Sequence, residues 1–102
     1  MKKIINGKLY NTENATMLFE WNNKYPVNDS NYVKEVLYRT KNGRYFIYGV
    51  GGPNTIYAES NGGNWDGGCS IVPIDENQAH TWGEKHMDVN SYIKEFGEVE
   101  EA

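Results

Sequence analysis

From Lys2 to Ile74 the chain alternates short runs of β-branched and aromatic residues with clusters of Asn, Gly, Pro and Asp. Beyond Asp75 the apolar period becomes helical. The first unit is KKIINGKLY (2–10). Asn6-Gly7 suits a type I′ turn between Ile4-Ile5 and Leu9-Tyr10, so the pattern predicts an N-terminal hairpin. Thr12 is placed to cap a short turn over 13–15. TMLFEW (16–21) has little helical period and reads as a strand. The polar stretch 22–30, which holds Pro26, reads as an exposed loop.

The strongest local signal is NYVKEVLYRTKNGRYFIYGVG (31–51), two apolar runs about Asn42-Gly43. A two-residue turn there pairs Thr40 with Tyr45, Tyr38 with Ile47 and Val36 with Gly49 on one face. The other face pairs Lys41 with Arg44, Arg39 with Phe46 and Leu37 with Tyr48. The first face is the more apolar and is expected on the core. The second presents Arg39, Phe46 and Tyr48 as a cationic and aromatic strip, either a half-wet sheet face or a surface for a partner.

Seven of the eleven glycines fall in GVGGPNTIYAESNGGNWDGGCSIVPI (49–74). A phosphate-binding loop needs its glycines followed by Lys and Ser or Thr at a helix start, and a dinucleotide fingerprint needs a helix after G-x-G-x-x-G. Gly51-Gly52 leads instead into Pro53-Asn54, and Gly67-Gly68 into Cys69 and a strand. These glycines read as turns. TIYAE (55–59) between them could form a short strand. Trp65 is either a lid folded over the core or an anchor for a partner. Asp66 beside it is placed to accept from loop amides. SIVPI (70–74) reads as a last strand whose pairing Pro73 ends.

Asp75 and Gln78 form a capping box opening a helix from Glu76 to about Lys85, with Ala79, Trp82 and His86 on one face. Asp88 caps a second helix through Phe96, with Tyr92, Ile93 and Phe96 inward and Gly97 as its stop. Strands first and helices last predict an α+β domain over 1–97: an antiparallel sheet of four to six short strands against two helices. The acidic residues 98–102 follow as a tail.

Composition sharpens this picture. At 102 residues one domain is the default. Three Trp, eight Tyr and three Phe exceed what so small a core requires, leaving aromatics for recognition. The net charge of −4 argues against binding a phosphate backbone and agrees with docking on a basic partner. MKKII lacks the apolar stretch of a signal peptide, and no segment approaches a membrane span, so a cytoplasmic protein is expected.

Candidate chemistry is sparse. The single Cys69 excludes an internal disulfide and reads as a small buried hydrophobe beside Ile71. His80 and Glu84 give two ligand types on one helix without a third, and His86 has no zinc spacing, so no metal or cofactor is expected. No nucleophile elbow or carboxylate pair stands out, and the chain is read as not an enzyme.

KKIINGKLYNTENA resembles the K-I-I-N-G-K-x-Y-x-T-x-x-A opening of a family of small proteins from phages and conjugative elements of Firmicutes. The resemblance continues through LYRTKNGRYFIYGVGGPNTIYAE, NWDGG and IVPIDENQAHTWGEKHMDVNSYIKEFGEV, and so covers nearly the whole chain. Family members commonly carry Glu at the position of Val50 and an acidic or small residue at that of His80. No catalytic residues come with the resemblance. It implies an accessory protein of a mobile element, a context rich in antagonists of host defence such as anti-CRISPR proteins. The leading expectation is an inhibitor docking on a host defence protein, a Cas9-type effector among the candidates. Arg39, Phe46, Tyr48, Tyr57, Trp65 and Asp66 are its expected contact residues. The alternatives are a sponge for nucleotide signals and a module that dimerises through a sheet edge.

Overall fold

A computed structural model describes the whole chain, Met1–Ala102. Eight strands precede two helices, giving the expected α+β order. β1 (Lys2–Ile5) and β2 (Lys8–Asn11) form the N-terminal hairpin. Asn6 and Gly7 both take positive φ, 52° and 75°, as a type I′ turn requires. The turn after β2 is organised by Asn11 rather than Thr12: its Oδ1 accepts from Glu13 N at 3.0 Å. Thr12 Oγ1 instead accepts from the N-terminal amine at 2.8 Å.

The main sheet is antiparallel in the order β3 (Thr16–Asn22), β4 (Val33–Arg39), β5 (Tyr45–Gly51), β8 (Gly68–Ile74). β6 (Glu59–Asn61) and β7 (Asn64–Asp66) form a separate two-stranded arm. The 55–59 segment is therefore mostly a turn rather than a strand, with only Glu59 in β6. Pro73 does not end pairing either. It stands opposite Phe46, tolerated because β8 is an edge strand and no ladder bond is needed on its open side.

The β4–β5 register differs from the two-residue turn by one position. Arg39 pairs with Tyr45, Tyr38 with Phe46, Leu37 with Ile47 and Val36 with Tyr48. The loop has three residues, Lys41–Gly43. Gly43 N donates to Thr40 O at 2.9 Å, and Thr40 N donates to Arg44 O at 2.7 Å. Gly43 sits at φ +81° as the bulge residue that admits the extra position. Thr40 Oγ1 accepts from Arg44 N and favours this loop over the tighter one. Because side chains alternate, a one-residue shift exchanges faces across the pair.

The sheet accordingly buries both faces. Leu37 and Ile47 pack with Ala79 and Trp82 of α1 (Glu76–His86), bordered by Phe19, Trp21, Tyr45 and Phe96. On the opposite face Phe46 and Ile71 pack under Tyr10 of the N-terminal hairpin, bordered by Tyr38 and Tyr48. α1 opens on the capping box: Asp75 Oδ1 accepts from Gln78 N at 2.7 Å, and Gln78 Oε1 accepts from Asp75 N at 2.9 Å. α2 (Val89–Phe96) starts at Asp88 and stops at Gly97, φ +94°. It closes on α1 at Gly83, where a Cβ would lie 3.0 Å from the Tyr92 ring. In the tail, Val99 lines a shallow apolar hollow with Met87, Val89 and Tyr92. No helix is long and apolar enough to cross a membrane. The molecule measures 49 × 34 × 20 Å.

Candidate functional site

The arm, the 24–32 loop and the ends of β5 and β8 meet at one corner of the sheet, and the glycines allow it. Gly52 N donates to Tyr32 O, and Asn54 N donates to Ser30 O, both at 2.9 Å. A Cβ on Gly52 would lie 2.5 Å from Ser30 O, so the two segments cross without room for a side chain. These glycines serve close chain crossings, not a cradle at a helix start.

The corner encloses a groove of about 630 Å³. It occupies the end of the sheet face that the N-terminal hairpin leaves open, with Tyr48, Val50 and Cys69 as its floor. Val27, Asp29 and Tyr32 line it from the loop; Pro53 comes from the segment leading into the arm and Glu59 from the arm itself. Cys69 is exposed there and not buried, because Val50, its partner across the ladder, has no layer above it. Burial first, and then the neighbouring Cys69 thiol, raises the Tyr48 phenol above its ordinary pKa.

The six residues singled out by sequence divide in two. Tyr48 lines the groove, Asp66 pairs across the arm with the lining residue Glu59, and Trp65 stands on the arm outside the lining. Trp65 is 62% exposed, so it is not a lid on the core. Asp66 accepts from the Asn61 side chain at 3.1 Å, within the arm, rather than from loop amides.

The other three are framework. Phe46 is fully buried, stacked on Tyr38 at 5.0 Å between ring centres. Arg39 lies on the helix face and pairs with Glu95 of α2, apart from Phe46 and Tyr48. Glu95 also accepts from Tyr45 OH at 2.8 Å; burial first, then this bond, pushes the Tyr45 pKa up to about 12. Tyr57 is buried, its ring laid against Gly49, where a Cβ would come within 1.9 Å.

Tyr57 OH donates to Glu35 Oε2 at 2.5 Å, and Trp82 Nε1 donates to Glu35 Oε1 at 2.8 Å. The strand carboxylate thus ties the glycine segment to α1. Burial, followed by the bond to Glu35, pushes the Tyr57 pKa far above its ordinary value. His86 lies beside this network, its ring centre 4.0 Å from that of Trp21 and 5.0 Å from that of Trp82. Burial lowers its pKa against the pull of Glu35. His80 is 3.8 Å from Glu76 and packs on Phe96, away from Cys69's groove. No group of three or more His, Cys, Asp or Glu side chains is placed to hold a metal ion.

Sequence reasoning missed Glu35 and the loop's contribution of Val27, Asp29 and Tyr32. Nothing local marks them: the groove is assembled from four segments far apart in sequence. No protein-family model, curated protein or solved structure matches the chain.

Proposed function

We propose that this chain is a non-enzymatic binding protein of a phage or mobile element, acting in the host cytoplasm as an antagonist of bacterial defence. It seats the groove and arm on a defence protein and obstructs it. A surplus of surface carries this reading. The chain exposes 6931 Å², against about 5,900 Å² for a compact monomer of its mass. The excess is about the area one partner contributes to a standard interface. Three large apolar side chains stay in solvent in the loop, glycine segment and arm: Val27 of the groove lining is 79% exposed, Ile56 84% and Trp65 of β7 62%. A protruding aromatic rimmed by polar residues is the usual anchor of such contacts. The resemblance to mobile-element proteins supports defence as the setting.

Phage plating on strains that each carry one active defence system tests the proposal. The chain should restore plating in at least one of them, and the Val27→Ser/Trp65→Ala variant should not. Both positions are exposed, so the variant should keep the wild-type melting temperature. No protection in any system would remove the proposal. A nucleotide sponge is the weaker reading, because Asp29 and Glu59 line the groove and no cation does. A thermal shift of several degrees with a cyclic dinucleotide would reverse that order.

A further inference from the structure

We infer that the groove is a docking site for a basic segment of a partner protein, one carrying Arg or Lys beside aliphatic residues. This rests on the protein-binding reading and names the chemistry of what is bound. The lining joins two carboxylates, Asp29 and Glu59, to Val27, Tyr32, Tyr48 and Val50, and it contains no Lys, Arg or His. Asp66 stands opposite Glu59 across the arm and adds a third negative charge at the rim. The ion pairs of the chain, Arg39–Glu95 and His80–Glu76, lie elsewhere, so neither lining carboxylate is neutralised internally. Lys34 shares the sheet face, paired with Val50, but stands outside the lining.

A guanidinium or ammonium group entering here meets carboxylates and Tyr32 at the wall and the Tyr48 ring at the floor, the two kinds of group that attract it. Its aliphatic neighbours would cover Val27 and Val50. Anionic ligands meet the same carboxylates with no cation in the lining to offset them.

The chain's single cysteine makes the test direct, because Cys69 lies in the lining and is exposed. Iodoacetamide alkylation of Cys69 in the full chain is followed with and without a capped peptide of alternating Arg and Leu. Its Glu–Leu counterpart serves as control. Fluorescence anisotropy of the labelled peptide gives the affinity. The Arg–Leu peptide should slow alkylation, more so at low salt, and the Glu–Leu peptide should not.

Asp29→Asn/Glu59→Gln should weaken the Arg–Leu peptide by about tenfold, the sum of two modest charge contacts. Asn at position 29 keeps an acceptor for Asn31 N, 2.8 Å away in the wild-type chain, so the loop should stay folded. Equal protection by both peptides, or undiminished affinity in the double variant, would overturn the inference. So would protection that rises with protein concentration alone, which would give the groove to a second copy. If the peptide fails while the chain still protects phage through Val27 and Trp65, only the basic segment is wrong. If the peptide binds as described and no defence system is blocked, the groove chemistry stands and the defence role falls.

Discussion

Glu35 is the residue on which the glycine segment and the first helix both depend. It accepts from Tyr57 OH and from Trp82 Nε1, so Glu35→Ala leaves two donors without a partner at the edge of the core. Hydrogen bonds to a charged group contribute about 1.5–3 kcal/mol each, and the loss should be about 3 kcal/mol in urea denaturation. Glu35→Gln, which keeps an acceptor, should lose less. Gly49→Ala tests the adjacent contact: the new methyl would overlap the Tyr57 ring and cost about 3 kcal/mol, the upper end for overpacking. His86 sets an acid limit. Its folded pKa lies below the ordinary 6.5, so both folded and unfolded chains hold it neutral above that pH. As pH falls below 6.5 the unfolded chain takes up the proton first and stability declines, until folded His86 protonates as well. His86→Phe, which keeps the packing on Trp21 and Trp82, should flatten the pH dependence of the urea midpoint just below pH 6.5.

The elements that were legible in sequence are those whose signals are local. The Asn6-Gly7 hairpin, the Asp75/Gln78 box, Asp88 and Gly97 each specify a turn or a cap within a few residues. The β4–β5 strands were legible too, but their register was not. Asn-Gly fits both a two-residue turn and a three-residue loop with glycine as the bulge residue, and the choice rests on Thr40 and on which faces must be buried. That choice moved Arg39 away from Phe46 and Tyr48 and dissolved the strip they would have formed. The bulge makes its own prediction. Deleting Lys41 leaves Asn42-Gly43 as a two-residue turn with Arg39 still opposite Tyr45, so the shortened chain should fold in the same register. Cross-strand nuclear Overhauser contacts between 39 and 45 would show it. Contacts between 39 and 46 would contradict it.

At the scale of the whole molecule the charge is uneven. At one end Lys8 and Arg44 meet where the N-terminal hairpin adjoins the β4–β5 turn, with Asp75 and Glu76 beside Arg44. Asp29, Glu59 and Asp66 gather at the other. If the groove docks a basic segment as proposed, its association rate should fall with salt while dissociation changes little. None of this was visible in the net charge, which averages over both ends. The Cα radius of gyration is 14.9 Å, where a compact chain of this length has about 13 Å. Dilute small-angle scattering should therefore report an elongated monomer near 15 Å; a markedly larger value would mean self-association. The shortest dimension matters most. An equal mass folded as a ball would be roughly 33 Å across, whereas this slab is 20 Å through. Turned edge-on, such a slab passes through a slit that a ball of its weight cannot enter.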